Sequence, residues 1–302
     1  MISRSTLLGA LVVVELAIVG VAFKAVAGGA TPSGPGAFAF GPGQTALDRS
    51  FITGPAPHVV LDVSDVSVTI VADAAATVHA VETVRKMGFV SSAPEPVTVR
   101  QSADGVHVTA ASGPEWVGFG GYDRQLRLSV PPNARIEVTS GGGIDASGLR
   151  EKLIGHLAGG RIAIRDHRGD IDVSTGSGTI RLVDVQASEI AASTRDGRVY
   201  LTRIGAGRIN ASSASGRIVG ADVRATDGAL TTRDGRIVLS LSANSDATVT
   251  AHTADGKVSV HGFDVVQSDE RGSAVFRAGS GRGKFELSTE DGQISITQGA
   301  SV

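Results

Sequence analysis

The sequence has no cysteine, which excludes disulfides, thiolate metal sites and a cysteine nucleophile. Aromatic residues are scarce, at 4% of the 302 residues, so a core built on large rings is not expected. The formal net charge of −2, with both signs scattered along the chain, argues against a nucleic-acid partner held by phosphate contacts. No proline follows Pro132. Because proline cannot donate to a β ladder, this absence suits a region of paired strands and glycine turns.

The same region repeats one short sequence motif: two hydroxyl-bearing residues, a turn closed by glycine, a polar residue and an aliphatic residue. Self-similarity at a fixed period indicates a repeat architecture. The aliphatic residues recur every 18 to 21 positions and then after 36, at Ile144, Ile162, Ile180, Val199, Ile218, Ile237, Val258 and Ile294. A second apolar series falls between them, at Ile171, Ile190, Ile209, Leu230, Val249 and Phe285.

Each unit of about 19 residues thus holds two short strands and two turns. Apolar residues alternate with polar ones in both strands, which is typical of strands with one buried face. A β-solenoid would stack like residues of successive coils in parallel ladders, whereas an antiparallel meander would use Asp-Gly as hairpin turns. The near-constant length of the unit favours the solenoid. Stacked coils require similar residues at equivalent positions of successive units, whereas a meander requires only alternating hydrophobic faces.

The hydroxyl residues nearest the turn lie an even number of positions from the buried aliphatic residues of the same strand, so they belong to the same face. We therefore expect their side chains to point inward, where hydroxyls can bond one another or the backbone of the turn. They are Thr175, Thr194, Ser213, Thr232, Thr253 and Thr289. The glycine that closes each turn is expected to supply a positive φ.

The amino terminus has the pattern of an export signal. Arg4 precedes an apolar run over residues 7–23 that only Glu15 interrupts, and Ala25–Ala27 looks like a small-residue cleavage site. Two outcomes stay open: residues 1–27 are a membrane anchor helix, or they are a signal peptide cleaved after Ala27. Because positive charge before the run keeps the amino terminus cytoplasmic, the rest is expected outside the cell membrane, or secreted.

Residues 28–57 hold five of the ten prolines and many glycines, a composition typical of a disordered linker. Residues 58–298 are expected to form one domain, with irregular opening coils or a cap over 58–135 and regular repeats over 136–298. The predicted fold is all-β: a single β-solenoid of two-strand coils of about 19 residues, preceded by an amino-terminal hydrophobic helix and the Gly/Pro-rich linker.

The segment Leu126–Val138, followed by serial Ser-Gly-x-Ile turns, resembles the bacterial putative-adhesin family of β-strand-repeat domains of unknown function. The likeness covers about residues 58–298. It rests on the order and spacing of residue types in the repeat and includes no catalytic motif. It implies a β-solenoid carried outside the membrane, often behind a signal or anchor. Neither the residues nor the resemblance point to a cofactor or a bound metal.

A column of cations directly after the turn glycine is the first candidate binding surface. In a solenoid they would line one edge, with aspartates such as Asp196 and Asp234 two positions earlier. One interpretation is a stripe that grips an anionic or sugar polymer of the cell envelope. The other is a mutually neutralised, solvated edge that discourages strand pairing. The cations are Arg161, Arg198, Arg217, Arg236 and Lys257.

A loop over residues 112–124 is the second candidate. It holds the only tryptophan, Trp116, with Phe119 and Tyr122 among several glycines. Clustered aromatics can form a platform for a sugar or a protein partner, since aromatic residues are enriched at binding hot spots. The alternative is a hydrophobic lid over the first coil.

These features predict a non-catalytic protein of the cell envelope. Its solenoid would serve adhesion, scaffolding or binding, with a cell-wall or surface polymer or another envelope protein as partner. One alternative is a carbohydrate-active enzyme working along a solenoid groove, for which Asp166, Asp170 and Asp172 are the densest carboxylate cluster near a repeat strand. Another is an accessory of a membrane signalling or stress system.

Overall fold

The computed structural model describes residues 43–88, 94–110, 120–269 and 272–299. Every element in these ranges is a β-strand, as the sequence predicts, and the strands join in one sheet. The predicted helix over 7–23 lies outside the described residues. The strands are β1 (Gln44–Ile52), β2 (His58–Val63), β3 (Ser67–Ala72), β4 (Thr77–Gly88), β5 (Thr98–Ser102), β6 (Gly105–Ala110), β7 (Gly120–Val130), β8 (Arg135–Ser140), β9 (Ile144–Ser147), β10 (Leu153–Leu157), β11 (Ile162–Arg168), β12 (Ile171–Leu241), β13 (Ala247–His261), β14 (Val265–Asp269), β15 (Ser273–Ala278) and β16 (Gly283–Gln298).

The predicted linker does not extend as far as residue 57. Its later part forms β1, which pairs with β4, while residues 28–42 lie outside the described part of the chain. Leu47 and Phe51 lie four positions apart on one face of β1 and pack against the core, whereas the rest of the strand is exposed. These two apolar contacts explain why the end of the Gly/Pro-rich stretch forms a strand.

Two parallel ladders run through the domain and confirm the solenoid over the meander. In one, Leu153 of β10 lies between Ile136 of β8 and Ile171 of β12. In the other, Ile162 of β11 pairs with Ile180. The partners in these ladders are 17 or 18 residues apart, so each coil lies directly on the next with like residues in contact. The strand β12 is continuous because the corners of its coils pair in register as well as their sides.

Each coil also has a short third side that the sequence does not reveal. Its start is marked by non-glycine residues with φ between 51° and 56°, namely Asp166, Asp184, Arg203 and Asp222. Aspartate tolerates this left-handed conformation better than most residues, because its short polar side chain can bond locally. The next residue points into the core, and Val185, Ile204 and Val223 are buried there. Because this side contributes only one apolar residue per coil, it has no alternating pattern from which a strand could be predicted.

One inward column combines residues of very different size. The column that contains Ile209 continues through Gly228 and Phe285 to Val249. A Cβ on Gly228 would collide with the backbone carbonyl of Ile209, whereas Phe285 is among the largest fully buried side chains, and Leu230 fills the next inward column. The sequence predicted that Leu230 stacks on Ile209. This prediction is wrong, because Gly228, two positions earlier, occupies that place.

At both ends of the solenoid, the order of the coils differs from the order of the chain. The strand β16 lies between β12 and β13, so that Ile294 pairs with Ile237 on one side and with Val258 on the other. Likewise, β2 lies between β6 and β8. Beyond β13 follow β15 and β14, both in antiparallel pairing. The prediction that chain order gives stacking order fails at these two places.

A buried ion pair lies within the opening coils. Arg124 donates to Oε1 of Glu82 from Nε at 2.9 Å and from Nη2 at 2.7 Å, and the two side chains are 4% and 0% exposed. The second carboxylate oxygen accepts from the backbone of Val97 at 2.8 Å, and Nη2 also donates to the carbonyl of Glu95. Burial of two charges is costly unless hydrogen bonds satisfy them, as they do here. The pair joins β4, β7 and the segment before β5.

The glycine turns are the most crowded part of the stack. A Cβ placed on Gly197, Gly216 or Gly235 would collide with the carbonyl oxygen of the glycine one coil earlier. The predicted inward hydroxyls lie beside these carbonyls: Ser213 donates to Gly197 at 3.3 Å, and Thr232 donates to Gly216 at 3.5 Å. Their burial and these bonds confirm that the hydroxyls point inward. The three glycines are required by the close approach of two backbones and not, as predicted, by a positive φ.

His167 is the polar exception on the third side. It follows Leu149 and precedes Val185 in an otherwise apolar column, and it is 1% exposed. Neither ring nitrogen has a hydrogen-bond partner among the described residues. Burial lowers the pKa of His167 to about 4, against the smaller opposing effects of the backbone carbonyls of Asp170 and Gly169 and of the Asp170 carboxylate. The ring is therefore neutral at neutral pH.

We expect Gly216→Ala to lower the free energy of unfolding by about 2 kcal/mol or more, because the carbonyl of Gly197 must move and carry the register of two coils with it. Gly121→Ala is the control, since a Cβ on Gly121 would have no atom of the described residues within 4 Å. Urea denaturation followed by circular dichroism measures both variants. Equal midpoints would contradict the explanation by close approach.

We expect His167→Leu to raise stability and to remove part of its dependence on pH. The unfolded chain binds a proton on this histidine near pH 6.5 and the folded chain near pH 4, so the unfolded state holds more protons between these values. The free energy of unfolding of the wild type should therefore fall as the pH drops through this window, by up to about 3 kcal/mol. Denaturation at several pH values tests this, with the exposed His252→Gln as control. Parallel pH profiles for wild type and His167→Leu would refute it.

Candidate functional site

The turn glycines place one side chain of each coil on the same outer edge. Their backbones stack coil upon coil, and the residue after each glycine adds to one column, which we call the corner column. In stacking order it consists of Arg161, Thr179, Arg198, Arg217, Arg236, Gln293 and Lys257. Every member except Thr179 is exposed.

The five predicted cations do not form an unbroken stripe. One coil contributes Thr179 directly after Arg161. Another contributes Gln293 before Lys257, because β16 lies between β12 and β13. Consecutive coils lie about 4.8 Å apart. The structure thus narrows the unbroken cationic surface to three neighbouring residues, Arg198, Arg217 and Arg236.

The aspartates of the turns do not neutralise these three arginines pairwise. Within the described ranges, no ion pair of 4.0 Å or less involves Arg198, Arg217 or Arg236. Asp234 instead binds its own neighbour Arg233, with Nε at 3.1 Å from Oδ2. Both interpretations of the edge, a polymer-binding stripe and a mutually neutralised, solvated edge, stay predictions. The three guanidinium groups remain available to an outside partner.

Two shallow grooves flank the glycine corner. One, of about 460 Å³, is lined by the three arginines together with Asp234 and Asp291. The other, of about 850 Å³, lies on the side of the strand with small residues and is lined by hydroxyl residues, Arg195 and Arg233. Both run across several coils, and their linings combine polar and apolar groups. That form suits an extended chain better than an enclosed small molecule.

Arg195 and Arg233 are not evident from the sequence as site residues. They stand two positions before their turn glycines, and in the regular repeats only these two coils carry arginine there. These two residues can be identified by their shared position within the repeat, once the stacking order of the coils is known.

The carboxylates considered for an enzyme occupy different parts of the coil. Asp170 uses Oδ1 to accept hydrogen bonds from the backbone of Ser188 at 3.1 Å and of Glu189 at 2.9 Å, one coil further on. Asp166 occupies the left-handed corner at the start of the third side, and Asp172 pairs with Ile154 on the neighbouring strand. Asp170 therefore has a structural use at the junction of two coils.

The aromatic loop stays a prediction. Trp116 and Phe119 lie outside the described residues. Tyr122 belongs to β7 and is half-buried there, so it is part of a strand and not of the predicted loop.

A second charged column lies at the start of the third side. Arg203 donates to both carboxylate oxygens of Asp184, at 2.5 and 2.6 Å. The hydrogen bond from Arg203 lowers the pKa of Asp184, and the same contact raises the pKa of Arg203. Hydrogen bonds from Arg282 and Ser280 lower the pKa of Asp246 to about 2. These charges are satisfied within the protein, in contrast to the free arginines of the corner column.

The histidines are dispersed over the part of the chain that the structure describes. His156 contacts the hydroxyl of Ser174 at 2.8 Å, and His252 is exposed on a distant coil. No group of three His, Cys, Asp or Glu residues with metal-binding geometry occurs among the described residues. The described residues also contain no helix of the length and apolarity that crossing a bilayer requires.

A family model, described as Toastrack DUF4097, matches residues 57–297. Among solved structures, a putative cell adhesion protein from Clostridium sporogenes ATCC 15579 is similar at 13% identity and a TM-score of 0.31, over 84% of this chain and 100% of that one. A putative adhesin from Bacteroides fragilis NCTC 9343 is similar at 11% identity and a TM-score of 0.41, over 83% and 96%. A search of curated proteins finds no match to this chain.

Proposed function

Because the chain belongs to the Toastrack DUF4097 family, we propose that it is a non-catalytic surface protein whose β-solenoid binds an anionic polymer of the cell envelope. The polymer lies along the corner column, across the coils. The observation that carries this proposal is the run of Arg198, Arg217 and Arg236 on consecutive coils, all exposed and without an ion pair to any residue that the structure describes.

The spacing of these arginines favours a polymer over a single small anion. Adjacent guanidinium groups start from backbones about 4.8 Å apart, well within the screening length of about 10 Å at 0.1 M salt. They therefore act together on a chain that carries repeated negative charge. Guanidinium groups also bind carboxylate and phosphate through paired hydrogen bonds, which a lysine cannot reproduce.

A binding role also agrees with how the carboxylates are used. The enzyme alternative needs two carboxylates that face one substrate, one as acid and one as base or nucleophile. Of the three considered, Asp170 is engaged with backbone amides of the next coil. No observation on the described residues favours the enzyme or the signalling accessory over a binding protein.

We place the solenoid outside the cytoplasm on the strength of the sequence. The apolar run over 7–23 would direct export, and residues 28–42 would separate the solenoid from the membrane if the run is kept as an anchor. The solenoid would then meet envelope polymers directly.

We expect the triple change Arg198→Ser, Arg217→Ser and Arg236→Ser to lower retention on an immobilised acidic polysaccharide by about tenfold near 0.1 M salt, because it removes the unpaired charges together. The control removes the same charge from exposed arginines elsewhere, Arg150→Ser, Arg208→Ser and Arg224→Ser. Retention of the wild type should also weaken as salt increases. If the two triple variants elute alike, the corner column is not the binding surface.

We expect an external protease to digest the solenoid in intact cells, or the solenoid to be found in the medium if the chain is cut after Ala27. Fractionation followed by immunoblotting separates anchored from secreted protein, and a cytoplasmic protein serves as the lysis control. Protection in intact cells together with digestion after lysis would contradict export.

A further inference from the structure

The second groove contains an arrangement that the corner column does not explain. Position two before the turn glycine carries Arg195, Ala214 and Arg233 on three consecutive coils, because Gly197, Gly216 and Gly235 stack directly. A methyl group thus separates two arginines whose backbones are two coils apart, about 9.6 Å. Arginine side chains are long enough to lean across one alanine from both sides.

The floor beside this gap consists of hydroxyl groups. Ser193, Ser212 and Thr231 point outward on the same three coils, are exposed, and line the groove of about 850 Å³ with Arg195 and Arg233. No hydrogen bond holds these three hydroxyls within the described residues. Each can donate one hydrogen bond and accept others from a ligand.

The two arginines of the gap keep nitrogens that no carboxylate engages within the described residues, although Asp196 and Asp234 follow them in the chain. Arg195 has no ion pair among the described residues, and Arg233 uses Nε for Asp234 at 3.1 Å while its other nitrogens remain free. On the coil beyond Arg233 the same position is Glu290, which closes the positive region on that side. The gap is therefore a local feature of three coils and does not continue along the solenoid.

We infer that this gap, the Arg195–Arg233 slot, binds a tetrahedral oxyanion, a phosphate group carried on a polyhydroxylated chain. Two guanidinium groups that approach from opposite sides can both donate charged hydrogen bonds to the non-bridging oxygens of one phosphate group. The neighbouring Ser and Thr hydroxyls then meet the hydroxyls of the chain. The inference rests on the proposed function, since it names the chemical group that the polymer presents, but it uses residues outside the corner column.

Calorimetric titration of the full chain with a glycerol phosphate oligomer tests the slot. The double change Arg195→Ser and Arg233→Ser should weaken binding by about tenfold or more, as expected for loss of paired charged hydrogen bonds. The decisive variant is Ala214→Arg, which adds positive charge but fills the gap, and it should weaken binding as well. Arg208→Ser with Arg224→Ser is the charge-matched control and should change binding less than twofold, an amount typical of distant surface charges.

Tighter binding by Ala214→Arg would overturn the slot, because diffuse electrostatic attraction predicts that result. A double variant no weaker than its control would overturn it too. Inorganic phosphate and a neutral oligosaccharide distinguish the source of the oxyanion: phosphate bound as tightly as the oligomer upholds the slot but removes the polymer as its ligand. The corner-column variant could keep full polymer retention while Ala214→Arg no longer binds the oligomer. That result would contradict the corner column as the polymer-binding surface and would support the Arg195–Arg233 slot.

Discussion

The structure depends on the direct contact of each coil with the one before it. Parallel backbone pairing continues around the corners, where glycine backbones lie so close that no Cβ fits between them. Once the corners are in register, every other position is in register as well, so each inward residue must suit its two neighbours in the stack. Gly228 shows that this constraint acts between coils, because a Cβ there would collide with the carbonyl of Ile209 one coil earlier.

The same stacking decides which polar groups the interior tolerates. Ser213 and Thr232 reach a carbonyl one coil away, and Glu82 and Arg124 satisfy one another with help from the backbone. Among the described residues, neither the hydroxyl of Thr194 nor the ring of His167 has such a partner, and His167 stays neutral. A buried polar group costs little where the neighbouring coil offers a partner and costs stability where it does not.

On the outside, stacking places like charges about 4.8 Å apart, which is unfavourable unless something relieves it. At the start of the third side the relief is internal, because Arg203 stands among aspartates and binds Asp184. At the glycine corner, Arg198, Arg217 and Arg236 form no ion pair with any described residue. This difference between two edges of one solenoid is the physical basis for placing a ligand at the corner.

The period, the alternation of buried positions and the inward turn hydroxyls such as Thr232 can be predicted from the sequence, because they follow from side-chain parity and local turn chemistry. The third side cannot, because one apolar residue such as Val185 carries no periodic signal. The sequence also predicted five aligned cations, of which three are neighbours. The stacking of the coils places Gln293 between Arg236 and Lys257, and Ala214 between Arg195 and Arg233, and no local pattern predicts either arrangement. Coils of similar pattern can stack in more than one order, and long-range pairing at the ends of the solenoid makes that choice.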